Sequence, residues 1–213
     1  MPEPQVWAVI VAAGWGERFG GPKQFSDLGG ARLVDHAVAT ASEACDAVVL
    51  VVPDAREWEG AEVAALTTGG ATRAESVRAG LAAVPATAEI VVVHDAARPL
   101  ATVDLFGAVI GAVRGGADGA VPGLALADTL KRVEDVRVTA TVDRVGLVTV
   151  QTPQAFDAAT LRAAHASGGD ATDDAALVEA IGGTVVVVPG DPRNLKVTGP
   201  ADLMIAAALL EVS

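Results

Sequence analysis

Runs of wholly apolar residues alternate along this chain with stretches whose apolar positions recur every three or four residues. Val6–Ala12 is almost entirely apolar and rich in Val and Ile, which predicts a strand buried on both faces of a sheet. Asp46–Val52 repeats the pattern up to Pro53, Glu89–His94 repeats it again, and a weaker strand is predicted within Glu62–Thr68. Between them, Leu33–Ala44 sets Val34, Ala37, Val38 and Ala41 on one helical face. Thr72–Val84 is a helix in which Thr72 and Glu75 are spaced as a capping box. Further helices are predicted at Val103–Arg114, Ala158–Ala166, Asp173–Ile181 (capped by Thr172) and Pro200–Glu211, which is opened by its own proline. Further strands are predicted at Gly119–Val121, ended by Pro122, at Val145–Gln151 and at Thr184–Val188. Such alternation implies a single α/β domain over residues 1–213, with a mostly parallel sheet and helices on both faces.

Residues 124–150 break the alternation. Val136, Val138, Ala140 and Val142 alternate with Arg137, Thr139, Thr141 and Asp143, the period of a strand with one dry and one wet face. Thr129–Val133 can pair with it across Glu134-Asp135. A two-stranded ribbon is marginal alone, so this projecting β-arm is expected to lie on its own body or on another subunit.

Composition narrows the function. The formal charge is −12 with no basic stripe, which argues against a general nucleic-acid surface. Lysines are confined to Lys23, Lys131 and Lys196, each in a loop-like or strand-end setting. Cys45 is the sole cysteine, so no internal disulfide forms and a reducing compartment fits. No apolar run reaches the ~18 residues of a membrane span, and no Lys or Arg precedes the first apolar run, so a secretory signal is not expected. A cytoplasmic location without membrane or nucleic-acid partners is the expectation.

In sheets of this kind, ligands bind at the carboxyl ends of the strands, and the sharpest motifs fall there. Ala12-Ala13-Gly14-x-Gly16-x-Arg18 follows the first strand, then Pro22-Lys23-Gln24. A bare backbone with two fixed cations suits a triphosphate. The Walker pattern fails because Pro22 and Gln24 flank Lys23, and the dinucleotide pattern fails at Phe19. Gly69-Gly70-x-x-Arg73-x-x-Ser76 opens a helix whose free N–H groups suit a base or a phosphate. In His94-Asp95-Ala96-Ala97-Arg98-Pro99, Asp95 suits a hydroxyl or hydrated Mg²⁺ and Arg98 a phosphate. The alternative is an Asp95–Arg98 pair that merely closes the loop, with His94 a hydrogen-bonded core residue. On the ribbon, Asp128–Arg132 and Thr141–Arg144 place cations that either reach an anion or line a solvated face. Lys196 stands alone in Asn194–Thr198.

Taken in order with Asp128-Thr129-x-Lys131, Thr152-Pro153-Gln154, Thr172-Asp173-Asp174 and Lys196-Val197-Thr198, these motifs resemble the 2-C-methyl-D-erythritol 4-phosphate cytidylyltransferase family. The resemblance implies a Rossmann-like body whose β-arm is exchanged across a homodimer, with Mg²⁺ accompanying CTP. It implies that Arg18 and Lys23 stabilise the transition state on the triphosphate and that Ala12, Ala13, Gly14, Gly16, Gly70, Arg73 and Ser76 line a CTP pocket. It places Asp95, Ala96, Arg98, Thr129, Thr152, Thr172 and Lys196 around methylerythritol phosphate, with Arg144 reaching the neighbouring subunit's site. Val11 and Gly199 stand where members often carry Pro and Arg, and Ala71 stands where some members place an Asp near the base. The nearest alternative acceptor is ribitol 5-phosphate. A non-catalytic nucleotide-binding module is the alternative from another class, and an NAD-binding oxidoreductase is disfavoured by Phe19.

Overall fold

The computed structural model describes residues 5–14, 16, 19–53, 58–168, 171 and 173–211. In chain order the strands are β1 (Val6–Val11), β2 (Asp27–Leu28), β3 (Ala31–Arg32), β4 (Ala47–Val52), β5 (Ala65–Thr68), β6 (Ile90–Asp95), β7 (Gly119–Ala125), β8 (Leu130–Glu134), β9 (Arg137–Val142), β10 (Val148–Val150), β11 (Gln154–Asp157) and β12 (Val185–Pro189). The helices are α1 (Leu33–Ala44), α2 (Arg73–Ala83), α3 (Val103–Arg114), α4 (Ala158–Ala166), α5 (Asp174–Ala180) and α6 (Pro200–Glu211).

β1 lies at the centre of the main sheet, parallel to β4 on one side and β6 on the other, with β5 parallel beyond β4. β11 runs antiparallel between β6 and β7, and β12 pairs parallel with β7. The side chains of β1 alternate between two helical layers. Ala8 and Ile10 pack in a core with Val34 and Val38 of α1 and Phe106 and Val109 of α3. Val9 packs in the opposite core with Val77 and Leu81 of α2, Leu161 of α4 and Val178 of α5. The largely apolar strands β1, β4 and β6 are thus covered on both faces, as their sequences require, whereas the equally apolar β12 leaves Val187 56% exposed. In the first layer, burial disfavours the thiolate of Cys45 and pushes its pKa up to about 12.

Two elements differ from expectation. β7 does not stop at Pro122 but runs on to Ala125. The Pro122 carbonyl accepts from Gln151 N–H, so its missing donor faces the break between β10 and β11, where no ladder bond is lost. Val145–Gln151 contains only the three-residue strand β10; β11, too short and polar to stand out beside Pro153, carries the interior pairing. Thr72 does cap α2, with the reciprocal Glu75 bond in place. α5 takes its cap from Asp173, and the predicted Thr172 cap lies outside the described residues.

Among the described residues, β8 and β9 pair only with one another. The expected dry face is not covered within the chain: Val136 and Val138 are 93% and 61% exposed.

Candidate active site

A cleft of about 450 Å³ opens at the carboxyl ends of β1 and β6. Its floor is the loop after β1. Gly16 has φ +65°, and a Cβ there would sit 2.0 Å from the Gly21 carbonyl oxygen, so only glycine fits. That turn is closed by the Gly16 carbonyl, which accepts from the N–H groups of Phe19 and Gly20. Buried Gln24 donates to the carbonyls of Ala12 and Gly14 at 2.6 and 3.0 Å. Lys23, in the short helical turn with Gln24, lines the cleft.

One wall is the N-terminus of α2. A Cβ on Gly69 would meet Ala13 Cβ at 2.2 Å, so this glycine lets the wall close on the floor. Ser76 Oγ accepts from Gly70 N–H and donates to the Thr72 carbonyl, which fixes the turn. Arg73 reaches across to two carboxylates, Nε to Asp95 at 3.1 Å and Nη1 to Asp174 at 2.8 Å. Burial opposes its charge, but Asp95 and Asp174 outweigh burial and raise its pKa.

The rim after β6 carries Asp95. Burial would raise its pKa, but Arg73 and Lys196, the latter at 2.6 Å, hold it well below the usual carboxylate range. Its backbone N–H donates to Thr152 Oγ1, which also bonds His94 Nδ1 at 3.0 Å. His94 is fully buried, and burial lowers its pKa to about 4 despite the pull of Asp95. It is a hydrogen-bonded core residue, not a proton shuttle at the cleft. Arg98 turns away from the cleft. Its Nη1 donates to the Asn194 carbonyl at 2.8 Å and Nη2 approaches Val150 O at 3.5 Å, tying the Lys196 segment and the base of the arm to the rim. Asp95 gives its oxygens to Arg73 and Lys196 rather than to Arg98. Thr198 and Gly199 donate to Asp202, and these bonds lower that carboxyl's pKa.

Of the residues singled out from sequence, Ala12, Ala13, Gly14, Gly16, Lys23, Gly70, Arg73, Ser76, Asp95 and Lys196 line this one cleft. Ala96 does not: it is 0% exposed and packs in the core, and Ala97 lines the cleft in its place. Thr152 sits buried beneath the rim. Thr129 and Arg144 lie exposed at the arm, where Arg144 donates to the carbonyls of Leu126 and Ala127. Lys131 bonds Thr141 across the arm at 2.7 Å. Arg18 and Thr172 lie outside the described residues. Sequence reasoning missed His165 and gave no role to Asp174 or to Gln24 as a clamp. Asp174 meets Arg73, 101 residues away in sequence, only through folding, and His165 joins them through Asp174. Both Asp95 oxygens are occupied by cationic side chains, so this carboxylate does not fit a metal-ligand role, and the described residues hold no cluster of three His, Cys, Asp or Glu suited to a metal.

The chain is also similar to known proteins over nearly its whole length. The model of the 2-C-methyl-D-erythritol 4-phosphate cytidylyltransferase family matches residues 6–212. The enzyme of that name from Streptomyces coelicolor is 47% identical, over 95% of this chain and 84% of its own. The one from Nocardia farcinica is 45% identical, over 97% and 94%. The crystal structure of the Thermus thermophilus enzyme is 36% identical and superposes with a TM-score of 0.84, over 95% and 98%. With the family model matched over residues 6–212, relatives 45–47% identical over nearly the whole chain, and a fold in common, the chain belongs to the 2-C-methyl-D-erythritol 4-phosphate cytidylyltransferase family.

Proposed function

We propose that this chain joins CTP to 2-C-methyl-D-erythritol 4-phosphate, releasing pyrophosphate and forming the CDP-linked polyol. One observation carries the reading: Lys23 and Lys196 line the same cleft as the glycine floor, in a chain with a net charge of −12. The positive field is local, placed where two phosphorylated substrates must meet.

An oxygen of the acceptor phosphate attacks the α-phosphorus in line and pyrophosphate leaves. No general base is needed, because a phosphate monoester has its second pKa at about 6 and is largely dianionic at neutral pH. The obstacle is bringing two anions together. Lys23, with Arg18, neutralises charge growing on the triphosphate, and the floor and the α2 wall hold the nucleotide. Lys196 holds the acceptor phosphate beside Asp95, which is left to orient Lys196 and the polyol. Arg98 serves by fixing the segment that carries Lys196. A divalent cation, Mg²⁺ in our reading, rides on the triphosphate and screens its charge.

The arm completes the site in a homodimer. Exposed Val136, Val138, Val145 and Leu147 support cover by a second copy, which brings Thr129 and Arg144 to the neighbour's acceptor side. The chain works in the cytoplasm on this reading. Pyrophosphate release with CTP and the methylerythritol phosphate is the test, with ribitol 5-phosphate as the competing acceptor. Absence of turnover with the first, or clear preference for the second, refutes it.

A further inference from the structure

His165 lies on α4, outside the cleft, and its side chain is 3% exposed. Its Nε2 bonds Asp174 Oδ1 at 2.9 Å, and its Nδ1 has no hydrogen-bond partner among the described residues. Asp174 is 1% exposed and spends its other oxygen on Arg73 Nη1 at 2.8 Å. Arg73 then turns its Nε to Asp95, and Asp95 turns its second oxygen to Lys196. One chain of charged and polar contacts therefore runs from a buried imidazole to the cation at the acceptor rim.

The weak link is in the middle. Arg73 Nη2 is buried and unpartnered among the described residues, while its Nε–Asp95 contact, at 3.1 Å, is the longest in the chain. A guanidinium and a carboxylate prefer a bidentate pair. Asp174 would form one through Nη1 and Nη2 if both its oxygens were open. It does not: Oδ1 is bonded by His165 Nε2, and Arg73 Nη2 is left without a partner among the described residues. We propose that His165 is a positioning residue: by occupying one oxygen of Asp174 it keeps Arg73 shared with Asp95, and so keeps Lys196 from being drawn off the acceptor phosphate to neutralise Asp95 alone. This rests on the cytidylyltransferase reading above for the identity of the acceptor, not for the geometry.

The test compares His165→Leu with His165→Gln, whose amide N–H can occupy the place of Nε2. With CTP and methylerythritol phosphate, His165→Leu should raise KM for the acceptor about tenfold, the scale of one charge-assisted hydrogen bond, and move KM for CTP less than twofold. His165→Gln should return the acceptor KM to within about threefold of wild type on the same scale. An unchanged acceptor KM in His165→Leu, a parallel rise in both KM values, or a glutamine variant no better than leucine overturns the proposal. If the leucine variant does not fold, His165→Asn, too short to reach Asp174, takes its place against glutamine, and equal acceptor KM values overturn it. Lack of turnover by the wild-type protein counts against the functional reading. Crystal structures then decide the inference on their own: Arg73 Nη2 should join Asp174 and Nε should leave Asp95 in the leucine variant, and an unmoved Arg73 overturns it.

Discussion

Gly80→Ala offers the sharpest check on how the cleft wall is set. Gly80 faces the sheet from the middle of α2, and a Cβ there would lie 2.4 Å from Val9 Cγ1 and 3.0 Å from Val51 Cγ2. Both valines are fully buried and β-branched, so neither rotates aside cheaply. Carbon atoms in contact sit about 3.5–4.0 Å apart, so α2 must ride outward by about an ångström. Overpacking of this kind costs about 1–3 kcal/mol, and the clash with two stiff neighbours argues for the upper half. Alanine gives back about 1 kcal/mol of helix propensity over glycine. The net loss is then about 1–2 kcal/mol, and with about 2–4 °C per kcal/mol in a chain of this size, the melting temperature should fall by about 2–8 °C. Because α2 carries Arg73 and Ser76 at its cleft end, KM for CTP should rise as well. Thermal melts followed by circular dichroism, with pyrophosphate-release kinetics, measure both. A variant that melts at or above wild type shows that the wall has slack, and the close-packing argument fails.

Lys23→Ala should leave the fold intact and lower kcat by about 10²–10³-fold, as for loss of one electrostatic donor; near-normal kcat in pyrophosphate release contradicts its role. Mixing Arg144→Ala with Lys23→Ala subunits should restore activity, since one site of each heterodimer then has both groups intact; verified heterodimers without activity argue against arm exchange. His94 should shape acid stability. Its folded pKa of about 4 lies below the ordinary 6.5, so the unfolded chain binds the extra proton first and stability falls as pH drops from 6.5 towards 4. Over that window the loss is roughly 3 kcal/mol, and His94→Asn should lose less in urea melts at pH 7 and pH 4. Equal losses would remove His94 from the account.

Helices were legible where an apolar stripe acts locally: α1 and α3 span the residues the pattern predicts. The central strands were legible for the opposite reason, being apolar throughout. β11 was not, because four residues with Gln154 and Asp157 carry no period, and only its neighbours β6 and β7 make it a strand. Glycines and lysines of the cleft stood out against an acidic, lysine-poor chain. The bonds of Arg98 to the Asn194 and Val150 carbonyls were not legible, because a guanidinium beside a phosphate loop and one that ties backbone carbonyls look the same in sequence. His165 gave no local sign, and Asp174 stood out only within the Thr172-Asp173-Asp174 run with no role attached, since Asp174 meets Arg73 and His165 only in the folded chain.

Gln24 gives the glycine loop a property that its own residues lack. Backbone oxygens repel a triphosphate as surely as amide hydrogens attract it, and a loop free to turn would show some of each. By tying back the oxygens of Ala12 and Gly14 from behind, one buried amide fixes the loop's polarity before any nucleotide arrives. The work of orienting those dipoles is done once, when the protein folds, rather than at every turnover.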